Sequence, residues 1–445
     1  MNRKFVAAAG LATVAALTLA GCAGGDSGST GSTGGSGEST EGSSGKSVAL
    51  TMSAWNVSST PEFQTLVDGF EAANPGITIE LKEYDAAEYN TLITTDLAAG
   101  SGPDIITQKE VKYLTTFQEG GQLADVSDVE LPDGISGAES YKVDGTAYAT
   151  PYRNDSWVLF YNKALFEQAG VATPDGSWTW DDYQKAADEL NKGLVAAGSS
   201  AKAVYQHRWQ STVQGFANAQ TKGADILEGK IDQFGPYYER TLALQSSGDQ
   251  IDFNTSSANQ LTYQGEFGKQ NAAMELMGTW FVATLIAQQA SGDADAFEWG
   301  IAPAPQADSS TAGLDKTPVT FGDPTGFGVN ANADADKQAA AKKFLAYAAS
   351  EDAAVSLAKI GITPALVNDT VVDTYFAAEG APADDLSKFA FSTHKVVAEN
   401  PTSPKTAAIQ GVLNDMHSAI LSGSTTVEKG LAEAKDRLKN EVGVG

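Results

Sequence analysis

From residue 48 onward the apolar positions switch repeatedly between a period of two and a period of 3.6. Residues 48–53 form a short apolar run of strand type. Thr60-Pro61 then supplies a cap residue and a proline suited to the first helical position. Phe63, Leu66, Val67 and Phe70 follow at i, i+3, i+4 and i+7, and Asn74-Pro75-Gly76 ends that helix. Residues 77–81 alternate as a second strand. Tyr89, Leu92, Ile93 and Leu97 mark a second helical face, broken by the turn from Gly100 to Pro103, and Asp104-Ile105-Ile106 opens a third strand. This β-α-β-α-β order predicts a parallel sheet with right-handed crossovers. Ligands of such sheets bind beyond the carboxyl ends of the strands. Those ends are Ala54-Trp55-Asn56, Glu83-Tyr84-Asp85 and Thr107-Gln108-Lys109-Glu110.

Later segments repeat the helical signals. Thr179-Trp180-Asp181-Asp182 has the hydroxyl-x-x-acid pattern of a helix start, with an amphipathic run to Leu190 and a stop expected at Gly193. Residues 336–350 read as an alanine-rich helix with Phe344, Leu345 and Tyr347 for packing, and residues 427–442 as a final amphipathic helix.

The first residues follow different rules. Arg3 and Lys4 precede an apolar run over residues 5–20, which ends in Leu19-Ala20-Gly21-Cys22. A positive start, a short apolar run and small residues before a cleavage point make residues 1–21 a secretory signal, too short to span a bilayer. Cys22 is the only cysteine, so no disulfide can form within the chain. Residues 23–46 are glycine, serine and threonine with a few charges, a tether reaching on the order of 25–30 Å. The remainder is long enough for two lobes. The 29 basic and 56 acidic residues give a net charge of −27, which argues against nucleic acid as a partner. His207, His394 and His417 lack metal-ligand spacing, and no complete phosphate loop, dinucleotide fingerprint or G-x-S-x-G occurs. No cofactor or metal is expected.

Several motifs in order along the chain carry a family likeness. They are Gly100-Ser101-Gly102-Pro103-Asp104-Ile105; Asp144-Gly145 to Pro151 with Phe160-Tyr161-Asn162-Lys163; Thr179-Trp180-Asp181; Ala272-Ala273-Met274 with Gly278-Thr279-Trp280; and the stretch from Gly361 to Pro364. With these, the chain resembles the extracellular solute-binding proteins of carbohydrate ABC importers, the maltose-binding-like group. Leu19-Ala20-Gly21-Cys22 likewise resembles a bacterial lipobox, which implies lipid on Cys22 and anchorage at the extracellular face of the cytoplasmic membrane. The resemblance implies an α/β, two-lobed fold of the type II periplasmic-binding-protein kind. Each lobe would be a central, mostly parallel sheet flanked by helices, joined by crossings near 151–155, 319–325 and 352–358. The lobes would comprise 47–153 with 322–354, and 154–321 with 355–445; residues 365–400 align with no part of the pattern.

The same likeness implies a monomer that captures a di- to tetrasaccharide between the lobes, hands it to permease subunits and catalyses nothing. A sugar needs flat aromatic faces for its C–H groups and planar polar groups for its hydroxyls. The expected substrate-binding residues are Trp55, Asn56, Gln108, Glu110, Asn154, Asp155, Trp209, Trp280 and Asp323, with Trp280 carried over from the family's Gly-x-Trp segment. Trp178, Trp180 and Trp299 are expected to pack. Two alternatives stay open: a surface glycoside hydrolase, which needs a carboxyl pair about 5–10 Å apart, and a receptor for a non-sugar solute such as a peptide.

Overall fold

The computed structural model describes residues 47–445 apart from Ser59; the leader, Cys22 and the tether lie outside the described residues. Its strands are β1 (Val48–Ala54), β2 (Ile77–Glu83), β3 (Ile105–Gln108), the small hairpin β4 (Lys142–Val143) and β5 (Thr146–Ala147), β6 (Thr150–Asn154), β7 (Trp157–Asn162), β8 (Lys202–Tyr205), β9 (Ala272–Gly278), β10 (Trp299–Pro303), β11 (Val319–Gly322), β12 (Pro324–Val329) and β13 (Lys395–Ala398). The first sheet has the order β2-β1-β3-β12-β6 and the second β10-β7-β9-β8. β1 pairs parallel with β2 and β3, as the alternating pattern requires. β12 returns from the other lobe and runs antiparallel to both β3 and β6. In the second sheet β8 and β9 are parallel, whereas β7 is antiparallel to β9 and β10. Both sheets are therefore mixed, because strands entering from the crossings arrive against the local direction.

Helix starts follow local chemistry, with one shift. Thr179 accepts from the Asp182 N–H while Asp182 accepts from the Thr179 N–H, a complete capping box. The first helix, Glu62–Ala73, begins at Pro61 without a side-chain cap, since the Thr60 hydroxyl donates to the Asn56 carbonyl at 3.1 Å instead. Gly193 does not stop its helix, which runs Trp180–Ala196. A Cβ on Gly193 would sit 2.3 Å from the Ala169 carbonyl oxygen, so this glycine marks the close approach of helix Lys163–Ala169.

Each sheet carries its own apolar core. Phe63, Phe70, Tyr89, Ile105, Phe327 and Phe344 pack around the first. Phe160, Leu190, Met274, Phe281 and Ile301 pack around the second, and a further cluster joins helices Phe234–Ser247 and Thr406–Leu421. The chain passes between sheets at Asp155-Ser156, and again at Asp323 between β11 and β12. The third passage is spread out. Helix Glu351–Ala358 gives Ala353 and Leu357 to the first core but Ala354 and Ala358 to the second, and Ile362 returns to the first core before Leu366 joins the second. The segment 365–400 becomes helices Asp369–Phe376 and Asp385–Ser392 plus β13, which pairs parallel with β11.

The first passage is pinned by charge. Arg153 lies 2.6 Å from Glu62 on the first helix and 2.7 Å from Asp155, all three buried or nearly so. Tyr152 donates to the same Glu62 oxygen at 2.7 Å, and Thr279 after β9 donates to Asp155 at 2.9 Å. One guanidinium thus neutralises a carboxylate of the first helix and one in the passage itself. Removing it strands two buried charges. Arg153→Met is expected to cost about 3–5 kcal/mol in urea unfolding. Gly193→Ala, which drives a methyl group into a backbone carbonyl, is expected to lose about 1–3 kcal/mol by the same measurement. Gly411→Ala, in the open middle of helix Thr406–Leu421 with nothing within 4 Å of the added carbon, should instead gain about 0.5–1 kcal/mol.

Candidate functional site

The carboxyl ends of β1 and β3 build one wall. Trp55, 7 % exposed, meets Phe63 and Tyr89 edge-on at 4.9 and 5.1 Å, so most of its ring is committed to the first core. Its remaining face carries the Lys109 ammonium at 5.4 Å, which also donates to the Ala86 carbonyl. Burial holds the Lys109 amine below its usual range. Asn56 adopts a positive φ of 53°, and the following Val57 N–H donates to Glu83 at 2.9 Å. The Gln108 amide is buried, with neither end hydrogen-bonded among the described residues.

The surface at the end of β9 is aromatic. Trp280 opens helix Trp280–Ser291 directly after β9, and its ring lies back over Gly278, where a Cβ would come within 1.9 Å of it. Trp157 meets it edge-on at 5.5 Å. Trp209, 42 % exposed, stands between β8 and helix Ser211–Gln220, with its ring centre 6.4 Å from that of Trp280. His207 and Tyr263 brace it at 4.4 and 5.7 Å. Burial, with Arg208 nearby, pushes His207 down to about 4, so this histidine is neutral and structural. Trp209 and Trp280, two of the three tryptophans expected at the site, therefore lie side by side, and Thr279 ties that surface to Asp155. Burial raises the Asp155 carboxyl, against the pull of Arg153 and Thr279.

A polar cluster lies where the second crossing meets the loop after β3. Asp323 accepts from the N–H groups of Glu399 and Asn400 at 2.9 and 3.2 Å and from the Asn400 amide at 2.5 Å. Glu399 accepts from the Ser211 hydroxyl. Glu110 pairs with Lys112 at 2.7 Å. Burial raises the Asp323 carboxyl, and burial together with Asp323 pushes Glu399 up to about 8. Asn154 faces away from this cluster, donating to Ser136 at 2.9 Å. Six of the nine candidates thus fall into three groups: Trp55 with Lys109, Trp209 with Trp280 and Asp155, and Glu110 with Asp323. Sequence reasoning passed over Arg153, Thr279, Tyr263, Lys112 and Glu399. A charged residue following the apolar-rich Thr150-Pro151-Tyr152 was the available signal for Arg153; Glu399 lay in the segment that matched no pattern.

The arrangement offers tilted and edge-on aromatic rings bordered by carboxylates and amides, with no cluster of metal-ligating side chains among the described residues. No described helix is long and apolar enough to cross a membrane. The family model for bacterial extracellular solute-binding proteins matches residues 55–355. A putative binding protein of Brucella abortus is 29% identical over 140 residues, 29% of this chain and 33% of that protein, so the match spans a third of its length. An arabinooligosaccharide-binding protein of Bacillus subtilis is 26% identical over 54% of this chain and 58% of its own. Among solved structures, a sugar transporter of Rhizobium etli in an open conformation is 30% identical with a TM-score of 0.75, covering 88% of this chain and 100% of its own. An ABC substrate-binding protein of Listeria monocytogenes in complex with cycloalternan shares the fold at 21% identity and a TM-score of 0.73, over 90% and 100% of the two chains. Two sheets with separate cores, joined by passages that carry the polar groups, and a family match over most of the chain make this protein a member of the bacterial extracellular solute-binding proteins.

Proposed function

We propose that this chain is the substrate-binding component of an ABC importer, closing its two lobes over a neutral di- to tetrasaccharide. The observation that carries the reading is the half-exposed ring of Trp209 set beside Trp280, next to a passage lined with carboxylates. Such a surface takes the C–H face of a pyranose, while Glu110, its side chain partly exposed beside Lys112, offers acceptors for paired hydroxyls. Two names among the similar proteins point the same way, an arabinooligosaccharide-binding protein and a substrate-binding protein in complex with cycloalternan. Closure requires contacts that only the closed state makes, and walls on two lobes provide for that.

In this reading the lobes are 47–153 with 322–354, and 154–321 with 355–445. The protein is a monomer, anchored by lipid on Cys22 at the outer face of the cytoplasmic membrane and served by a permease. It performs no catalysis. Turnover needs carboxyl groups free to act as acid and nucleophile or base, whereas Asp155 is held by Arg153 and Thr279, and Asp323 accepts three hydrogen bonds.

Thermal unfolding against a panel of oligosaccharides, peptides and divalent metals tests the ligand class. A bound sugar at a hundredfold excess over Kd is expected to add about 2.7 kcal/mol. Trp209→Ala should leave the fold intact and weaken that sugar by about 1.5–3 kcal/mol, roughly ten- to hundredfold in Kd, with Trp280→Ala at least as severe. A shift with peptides alone would overturn the carbohydrate assignment, and new reducing ends on incubation with the bound sugar would restore the hydrolase reading. Cys22→Ser should move the protein from the membrane fraction to the medium.

A further inference from the structure

After β13 the chain does not return straight to the second lobe. Residues 399–405 first run across the junction, touching both sides, before helix Thr406–Leu421 begins. Glu399 and Asn400 hold the second crossing through Asp323. The Thr402 hydroxyl then donates to the Ser140 carbonyl at 2.8 Å, and the Ser403 carbonyl accepts from Thr115 at 3.2 Å, both on the first lobe. Pro401 is fixed by the Thr406 hydroxyl at 2.5 Å. We propose that residues 399–405 form a proton-operated latch between the lobes: the segment stays docked while the Glu399 carboxyl is uncharged, and ionisation of that carboxyl loosens it.

The geometry supplies the reason. Asp323 receives three hydrogen bonds, two from backbone N–H groups, which suits a carboxylate. Glu399 carries the amide that makes one of those bonds, so its own side chain is confined to the same buried corner. The groups facing it are Asp323 from the second crossing, Glu110 and Lys112 from the loop after β3, and the Ser211 hydroxyl from helix Ser211–Gln220. The only cation among them, Lys112, is already paired with Glu110 at 2.7 Å. Tyr141 closes the far side of Asp323, its hydroxyl donating to the Pro324 carbonyl at 2.7 Å. A second full charge in this corner has the Ser211 hydroxyl as a donor but only a cation already shared with Glu110. It can be relieved by moving the segment toward water, which breaks the contacts to Ser140 and Thr115.

The sign follows from linkage. Burial and the neighbouring Asp323 push docked Glu399 up to about 8, whereas a released carboxyl returns to its ordinary value of 4.5, so the docked form holds more protons between those limits. Docking is therefore favoured below that window and weakens as pH rises through it. From pH 6.5 to 9 the released-to-docked ratio is expected to grow by on the order of tenfold, with about thirtyfold as the limit for full release.

Hydrogen exchange on the full chain without ligand reads this ratio, through protection factors of amides in 400–406 corrected for intrinsic rates at each pH. Protection in the wild type should fall about tenfold between pH 6.5 and 9. Glu399→Gln, which fixes the uncharged form, should be flat within twofold. Lys112→Gln, which removes the nearest cation, should move the midpoint to higher pH and guards against a poorly folding Glu399→Gln. Equal pH profiles in wild type and Glu399→Gln, or an unmoved midpoint in Lys112→Gln, would overturn the latch. Because no ligand is present, either outcome leaves the sugar assignment to its own test.

Discussion

The contact on which the rest depends is the three-membered charge array of Glu62, Arg153 and Asp155. A buried arginine has to be neutralised, and here the neutralising groups come from different parts of the molecule. Glu62 starts the first helix, Asp155 sits at the passage to the second sheet, and Thr279 links Asp155 to the junction of β9 with the helix that Trp280 opens. The array thus sets the distance between the first core and the aromatic wall. Any residue stacked on that wall inherits its position from a guanidinium that never needs to touch a ligand.

Much of the first lobe was readable because its signals are local. The run from residue 48 to 108 alternates strand and helix with short connections, and the capping box at Thr179 is decided within four residues. The errors have a common source in distant partners. Gly193 looked like a stop because nothing nearby shows that Ala169 needs its space. Residues 395–398 form a strand only because residues 319–322, far back in the chain, offer an edge to pair with. Thr60 is the exception: a sound cap by composition, it lost its hydroxyl to the Asn56 carbonyl only four residues back.

The candidate site shows the same division. Trp209 and Trp280 were each legible from setting and motif, yet their adjacency depends on how the turn after β8 meets the end of β9, which no spacing rule supplies. Trp55 stands at a strand end as expected, but Phe63 and Tyr89 enclose most of it. Arg153 and Glu399 were passed over because their partners, Glu62 and Asp323, lie on other elements.

A mechanical consequence follows from Gly322. A Cβ at that position would stand 2.0 Å from the Asp155 carbonyl oxygen, so the first two passages touch backbone to backbone with no side chain between them. Two strips in such contact cannot slide independently or bend with different curvature. They act as a single leaf, and motion of one sheet against the other is reduced to a swing about the line where that leaf flexes. Shear between the two passages would drive the Asp155 carbonyl into the Gly322 backbone, so the junction itself opposes it.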